Sequence, residues 1–253
     1  MTPADSEQVI RDRLVEAARL ATLGRLVPSF LHQMSTPLAA ISLRAESLEA
    51  SFVAPDPPRD RMLRYLRAMN DETRRCQDLL AALREFSGRD ERSPGPVELE
   101  PVCRRAAQLV HDEAMRRQAQ LILDLAAGLV VTGWRSRLGQ AVLALLLNAV
   151  DASPRSGRVT LQTRVDGPDA LIGVMDEGEG VPESVRARLF TPFATSRPPD
   201  LGLGLGLMAS RWVAESHGGR LEFDCFKGGS SFVMRIPIVR SSSGDPNDDG
   251  AAA

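Results

Sequence analysis

Apolar positions in the first third of the chain follow a helical spacing. From Leu20 to Leu48 they recur at alternating intervals of four and three residues, and a second run of this kind extends from Met62 to Leu83. This heptad spacing is typical of helices that pack in a coiled coil or bundle. The segment between the two runs holds three prolines and predicts a loop. Residues 6–87 are therefore predicted to form an antiparallel helical hairpin.

Two helices cannot bury such an apolar seam well by themselves. A homodimer that joins two hairpins into a four-helix bundle would cover it. A partner elsewhere in the same chain is the alternative. We expect the dimer, because the rest of the sequence has the pattern of a separate domain.

The pattern changes after a polar segment at residues 88–96, which predicts a linker. Residues 97–240 mix apolar helical patterns with short alternating strands, without a regular βαβ order, which favours an α/β two-layer sandwich. The last segment, residues 241–253, is small and acidic and predicts a disordered tail. Helices are predicted at 101–119, 134–152 and 208–217, and strands at 121–125, 159–165, 171–176, 220–226 and 231–238.

Charge and cysteine content narrow the class of protein. The net charge is -2, so bulk charge gives no argument for binding nucleic acid or membranes. Three scattered cysteines suit a reducing compartment. Charged residues precede any apolar run at the N-terminus, and the longest apolar stretch, 141–147, is too short to span a bilayer. We expect a cytoplasmic protein without a signal peptide or a membrane segment.

Four short motifs in the second domain carry candidate chemistry. They are LLLNAVDAS with Asn148, MDEGEGVP with Asp176, LFTPFATSR at 189–197, and GLGLGL at 202–207. Each has an ordinary structural interpretation when taken alone, as a turn, a satisfied core amide or a packed loop. Their order along helix, strand end, loop and helix start is the informative feature.

This order suits a nucleotide. Glycines before a helix N-terminus let backbone N–H groups approach phosphate oxygens, and the helix dipole favours the anion. A carboxylate at a strand end can accept a hydrogen bond from an exocyclic amine of a base. An amide oxygen on a facing helix suits Mg²⁺ bound to phosphate. The motifs together predict an ATP site under a mobile lid.

Residues 97–240 resemble the catalytic ATP-binding domain of sensor histidine kinases, which has the gyrase–Hsp90-like ATPase fold. The four motifs look like its N, G1, F and G2 boxes. The hairpin resembles the dimerisation and histidine-phosphotransfer domain of the same family, with LHQMSTPL as its H box. The resemblance therefore covers the chain from about residue 20 onward.

The resemblance implies roles for individual residues of the ATP site. Asn148 would ligate Mg²⁺, and Asp176 would contact the adenine amine in a pocket shaped by Gly178 and Gly180. Glycines of the GLGLGL motif would form the hinge and the phosphate-facing part of the lid. Arg197 would meet phosphate, or be a solvated charge of the lid. The ATP-binding residues expected beside those four are Asp151, Thr195, Arg197, Gly202, Gly204, Gly206 and Leu207.

The resemblance assigns the phosphoacceptor to His32. Gln33 follows it, where the family commonly has Glu or Asp; an amide can orient the imidazole but cannot act as a base. Thr36, one turn on, would help position the water that hydrolyses the regulator's aspartyl phosphate, or is a surface threonine. Ala144 replaces an Asn often found one turn before Asn148, and Gln140 fits the pattern as a substitute. We expect slow but real autophosphorylation.

Two prolines flank the acceptor within the predicted helix. Pro28 and Pro37 cannot donate to the carbonyls four residues earlier. We expect bends on both sides of His32, which would help it meet two partners in sequence.

The implied activity is a cytosolic, dimeric histidine autokinase that uses ATP and Mg²⁺. It would phosphorylate His32 and pass the group to an aspartate of a response regulator, with input from a separate sensor protein. A phosphotransfer or binding module with a vestigial ATP site is the alternative, favoured by Gln33 and Ala144. Another ATPase of the same fold, or a serine kinase, is a third interpretation, against which the hairpin argues.

Overall fold

The computed structural model describes residues 3–53, 59–87, 93–194, 204–226 and 228–238. The chain begins with a helical hairpin of α1 (Pro3–Phe52) and α2 (Arg59–Ser87), which pack along each other. Helix α1 continues through both Pro28 and Pro37. The prolines therefore do not divide the acceptor helix into separate segments, and the predicted bends stay a prediction.

The second part of the chain is an α/β domain. Its elements are β1 (Gly95–Glu98), α3 (Leu99–Arg116), β2 (Gln120–Leu125), β3 (Val130–Gly133), α4 (Arg135–Ala152), β4 (Arg158–Asp166), β5 (Asp169–Asp176), α5 (Glu183–Arg186), α6 (Gly206–Ser216), β6 (Arg220–Phe226) and β7 (Gly229–Pro237). The predicted α/β domain after a helical hairpin is confirmed.

One mixed sheet organises this domain. Its strand order is β2-β4-β5-β7-β6, with β2 parallel to β4 and every other neighbouring pair antiparallel. Along β4, β5 and β7, alternate residues such as Leu161, Ile172 and Met234 are fully buried. Helices α3, α4 and α6 contact one another and the strands. The result is one helical layer on one sheet, because a strand that alternates apolar and polar residues buries a single face.

Two short strands were missed from the sequence. Strands β1 and β3 form a separate antiparallel pair in which Val97 faces Val131. Each has only four residues, too few to show an alternating pattern. Strand β1 begins at Gly95, so it takes up the end of the segment that we predicted as the linker.

The predicted seam of the hairpin is largely exposed in the single chain. Leu20, Val27, Leu31 and Leu38 of α1 are 51–60% exposed. The face of α1 that is buried instead carries Ala18, Leu26, Ser29, Gln33 and Pro37. The heptad residues are thus left for a partner outside this chain, while a neighbouring face packs inside it.

That inner face joins the hairpin to the α/β domain. Leu26 of α1 and Phe86 of α2 belong to the same apolar core as the second domain. The Gln140 side-chain amide donates to the Phe86 carbonyl at 2.9 Å. A Cβ on Gly139 would lie 2.9 Å from the Phe86 ring, so this glycine permits the contact. In this structure the Gln140 side chain therefore anchors α2, and its part as a substitute for the Asn of the N box stays a prediction.

No helix among the described residues is both long enough and apolar enough to cross a membrane.

Candidate nucleotide site

A cavity of about 160 Å³ lies where the predicted motifs meet. Its walls come from α1, α4, the loop after β5, the loop before α6 and the start of β7. Of the predicted ATP-site residues, five line it: Asn148, Gly180, Gly204, Gly206 and Leu207. The sequence order of the motifs therefore predicted a real convergence in space.

Asp176 ends β5 directly behind the cavity wall and is 2% exposed. Its Oδ1 accepts the backbone N–H of Gly178 at 2.9 Å, and its Oδ2 accepts the Ser230 hydroxyl at 2.6 Å. Ser230 lines the cavity and stands opposite Asp176 in the β5–β7 pairing. Two donors thus fix the orientation of a buried carboxylate, as a buried polar group requires.

The glycines of the DEGEG motif permit a close approach between β5 and α4. A Cβ on Gly178 would lie 2.4 Å from the Ala152 carbonyl oxygen, which no side chain can tolerate. The intervening Glu177 points away from the cavity to Arg158, which donates to it at 2.7 Å. This bond holds the pKa of Glu177 below its usual range. Glu177 is therefore directed away from the site, whereas Gly180 of the same motif lines the cavity.

The two predicted site residues of α4, the N box helix, have different surroundings. Asn148 lines the cavity. The Asp151 side chain is 1% exposed and is paired with Arg25 of α1 and with Arg117, which directly follows α3. In this conformation Asp151 neutralises two arginines and does not line the cavity.

The donor set fits a magnesium ion that is held together with phosphates. No group of three or more His, Cys, Asp or Glu in the described ranges could hold a metal. Mg²⁺ in nucleotide sites takes few protein ligands and keeps phosphate and water oxygens. The Asn148 amide oxygen at the cavity wall suits that arrangement.

The F box loop packs its first residues and exposes a later one. Leu189 is 5% exposed, and the guanidinium of Arg211 lies 5.4 Å from the Phe190 ring centre. Phe193 is 64% exposed. Gly204 closes against this loop: it has φ +67°, and a Cβ there would lie 2.8 Å from the Phe193 carbonyl carbon. Three predicted site residues, Thr195, Arg197 and Gly202, lie outside the described residues.

The predicted acceptor lies outside the cavity on α1. His32 is exposed, and Gln33 beside it is 9% exposed. Gln33 lines a groove between the hairpin and α3, with Arg75 and His111. The Thr36 hydroxyl donates to the His32 carbonyl at 3.3 Å. The structure therefore presents the imidazole to solvent and turns the following amide inward.

Two residues of the site were not found from the sequence. Ser230 gave no signal, because its role depends on its register opposite Asp176. Arg25 gave no signal either, because the chain has many arginines and its partner Asp151 lies 126 positions away. Neither residue belongs to a local motif.

Two family models match this chain. The first, His Kinase A (phospho-acceptor) domain, matches residues 22–92. The second, described as histidine kinase-, DNA gyrase B- and HSP90-like ATPase, matches residues 133–240. The two matches follow each other in the order that the sequence motifs predicted.

Curated proteins with similar sequences are sensors. The C4-dicarboxylate transport sensor protein DctB of Rhizobium meliloti is 31% identical over 90% of this chain and 37% of its own length. The sensor protein FixL of Bradyrhizobium diazoefficiens is 30% identical over 92% of this chain and 47% of its own length. The chain thus spans less than half the length of either relative.

Solved structures support the fold. The mycobacterial sensor histidine kinase MprB is 30% identical, with a TM-score of 0.50, over 57% of this chain and 97% of the solved one. The catalytic domain of histidine kinase ThkA is 24% identical, with a TM-score of 0.53, over 57% of this chain and 95% of the solved one. The latter likeness concerns the fold alone.

Proposed function

Because this chain belongs to the sensor histidine kinases and carries their phosphoacceptor and ATPase domains, we propose that it is an ATP-dependent autokinase with His32 as its acceptor. The observation that carries the proposal is the convergence of Asn148, Gly180, Gly204 and Gly206 on one cavity in the chain that also exposes His32. The phosphoryl group then passes to an aspartate of a response regulator.

The chain's own residues bind and orient the nucleotide. The fixed carboxylate of Asp176, behind the cavity wall, accepts a hydrogen bond from the adenine amine. The start of α6 directs backbone N–H groups at the phosphates. Mg²⁺ at Asn148 would neutralise phosphate charge when it is bound. Phosphoryl transfer depends mainly on such positioning and charge neutralisation.

The first step joins the unprotonated imidazole nitrogen of His32 to the γ-phosphorus while the bond to the β–γ bridging oxygen breaks and ADP leaves. A base that takes the proton of the other ring nitrogen would assist this step. Gln33 cannot supply one. We therefore propose a slow autokinase. In the second step a carboxylate of the regulator takes the phosphoryl group from the phosphohistidine.

Two further elements of the proposal concern partners. The exposed apolar residues of α1 and α2 suit a second copy of this chain, in a homodimer formed through residues 6–87. The solved ThkA that binds a response regulator has a TM-score of 0.50 over 91% of this chain. We propose a receiver domain as the partner of His32, a separate protein as the source of input, and for Thr36 a part in hydrolysing the regulator's aspartyl phosphate.

Radiolabelled ATP tests the proposal directly. The full chain with Mg²⁺ and [γ-³²P]ATP is expected to gain a label that is lost in acid and kept in base, and His32→Ala is expected to gain none. His111→Ala is the matched control and should be labelled like the wild type. An acid-stable label, or an unchanged label on His32→Ala, would overturn the assignment.

A further inference from the structure

His217, the residue that follows α6, is bonded at both of its ring nitrogens. Of the three histidines, which all lie in the described ranges, only this one is buried. Its Nδ1 lies 2.7 Å from the Val213 carbonyl oxygen, and its Nε2 accepts the backbone N–H of Trp134 at 3.0 Å. Because Nε2 is an acceptor, Nδ1 carries the proton and donates it to Val213. The partners therefore assign one neutral tautomer to the ring.

The other contacts of the imidazole keep it in this orientation. A Cβ on Gly133 would lie 2.0 Å from Cδ2 of the ring and 2.3 Å from Nε2, so only glycine leaves room for it. The Trp134 ring meets the imidazole edge to face, with the ring centres 5.5 Å apart. The Ser216 hydroxyl lies 3.3 Å from Nδ1. The ring therefore cannot turn to exchange its two nitrogens without losing these contacts.

The imidazole joins two helices that line the nucleotide cavity at their opposite ends. His217 follows the C-terminal end of α6, and Trp134 precedes the N-terminal end of α4. Gly206 of α6 and Asn148 of α4 line the cavity, about 15 and 20 Å away along the helix axes. The bond between His217 and Trp134 therefore holds the two helices together at the end that is remote from the nucleotide.

Two further contacts connect α6 to α4 between this bond and the cavity. The Ser210 hydroxyl lies 3.3 Å from the Ala141 carbonyl oxygen. A Cβ on Gly206 would lie 3.5 Å from the Ala144 Cβ, and both residues line the cavity. Because protein interiors are close-packed, a displacement of α6 at His217 is transmitted along these contacts to Gly206.

A second proton on the imidazole would break its bond to α4. An imidazolium carries an N–H at both nitrogens, so Nε2 could no longer accept from Trp134 and two donors would face each other. The C-terminal end of a helix does favour a cation. The neutral ring already donates to Val213 at that end, however, so protonation gains little there and leaves the Trp134 N–H without its acceptor.

The charged groups of the neighbouring elements also favour the neutral ring. At the start of α4 the charged residues, Arg135 and Arg137, are both cations, and the Arg137 guanidinium lies 4.5 Å from the centre of the Trp134 ring. The carboxylates of the other elements are each paired with arginines: Glu215 with Arg211, Glu222 with Arg220 and Arg235, Asp166 with Arg235, and Asp169 with Arg220. A positive charge on the imidazole would therefore add to cations whose counter-ions are already engaged.

We propose that the neutral imidazole of His217 is a positioning residue, which keeps α4 and α6 at the spacing that the nucleotide site requires, so that acid weakens nucleotide binding. This inference rests on the proposed function. Histidine is the side chain whose ordinary charge change falls between about pH 5 and 8. Because the folded chain needs the neutral ring and the unfolded chain does not, the contribution of His217 is present at neutral pH and is lost as the pH falls.

The test compares nucleotide affinity at pH 7.5 and pH 5.5 in full chains that differ at this residue. His217→Gln keeps an oxygen that can accept the Trp134 N–H and cannot be protonated, whereas His217→Leu has no acceptor. His111→Gln, which removes an exposed histidine, is the matched control and includes any effect of protonating the nucleotide itself. Trinitrophenyl-ATP with Mg²⁺ gives the Kd. All chains carry Trp212→Phe, so that the emission of Trp134, which an adjacent imidazolium quenches, reports the protonation of His217.

At pH 5.5 we expect the parent chain and His111→Gln to bind about tenfold more weakly than at pH 7.5, and His217→Gln to change less than about threefold. His217→Leu should bind weakly at both pH values. The emission of Trp134 should fall with pH in the parent chain and stay constant in His217→Gln.

The same pH dependence in His217→Gln as in the parent chain would overturn the proposal, and so would full affinity of His217→Leu at pH 7.5. If His217→Leu does not fold, the comparison with His217→Gln still decides. Nucleotide binding with the expected pH dependence, but without label on His32, would instead overturn the proposed function and leave the role of His217 supported.

Discussion

Ser230 stands opposite Asp176 across two antiparallel strands, and its hydroxyl donates to the Asp176 carboxylate at 2.6 Å. Both side chains are buried, at 3% and 2% exposure. The pair fixes the orientation of the carboxylate behind the cavity wall. It joins the end of β5 to the start of β7, so the proposed adenine contact of Asp176 depends on the register of the sheet.

Removing the Ser230 hydroxyl should weaken nucleotide binding. Ser230→Ala leaves Asp176 with one donor, which is expected to cost about 1–2 kcal/mol of unfolding free energy and at least a fewfold in nucleotide affinity. Thermal unfolding and nucleotide titration measure the two effects. Ser47→Ala, which removes a hydroxyl bonded to its own helix, is the control and should change neither. Equal affinity in both variants would contradict this role.

A methyl group at Gly178 should disrupt the site. The added Cβ would press on the Ala152 carbonyl at 2.4 Å, and neither backbone can yield without separating β5 from α4. We expect Gly178→Ala to destabilise the α/β domain by about 1–3 kcal/mol and to lose nucleotide binding. Gly95→Ala, where a Cβ meets nothing within 4 Å, is the matched control. Chemical denaturation of both variants decides the point.

A carboxylate after the acceptor should accelerate autophosphorylation. Gln33→Glu introduces a group able to take the imidazole proton, and such help is typically worth ~10²–10⁴-fold in rate. The gain is expected at the lower end, because Gln33 is turned into the groove. Initial rates of label incorporation measure it. Gln77→Glu, on the exposed face of α2, controls for charge alone.

An unchanged initial rate in Gln33→Glu would show that proton removal does not limit the reaction.

The thiols of Cys103 and Cys225 should differ in reactivity. Burial raises the pKa of Cys103 to about 12, so at pH 8 only about one thiol in 10⁴ is ionised, and the side chain is inaccessible. Cys225 is partly exposed and accepts a hydrogen bond from Arg186 at 3.3 Å. Ellman's reagent should therefore label Cys225 in the folded protein and Cys103 only after denaturation. Cys225→Ser should remove the fast phase; a fast phase that persists would contradict this assignment.

At low pH the edge strand β6 should lose a small electrostatic contribution to the free energy of unfolding. The hydrogen bond from Arg235 holds the pKa of Glu222 below its ordinary value. A carboxylate with a lowered folded pKa stabilises above its unfolded pKa, near ~4.3, and loses that contribution as pH falls through the folded value. Glu222 is 41% exposed, so we expect about 1 kcal/mol or less.

Glu222→Gln should therefore melt slightly below the wild type at pH 7 and equally at pH 3. Glu49→Gln, which replaces an exposed carboxylate of α1, should melt at the same temperature as the wild type at both pH values. A difference that persists at pH 3 would indicate a packing effect instead of an ionic one.

Local motifs made most of the α/β domain predictable. The helix with Asn148, the strand that ends at Asp176 and the glycines before α6 each carry their signal within a few residues. Strands of four residues carry too little pattern, and β1 and β3 were missed for that reason. Element types were therefore predictable wherever a segment was long enough to repeat.

Contacts between distant segments were not predictable. The partner of Ser230 depends on strand register, and the partner of Arg25 depends on which face of α1 docks. The heptad pattern identified the exposed seam of α1 and gave no indication of the second buried face with Ala18, Leu26 and Gln33. Small and polar residues form that face, so hydropathy alone does not distinguish it from solvent-facing surface.

Helix α1 is unbroken from Pro3 to Phe52, and Arg25 and His32 both belong to it. The two residues lie seven positions apart on one helix of 50 residues, about 75 Å long. A rotation of that helix about its axis would therefore alter the Arg25–Asp151 pair and the direction of the His32 imidazole together.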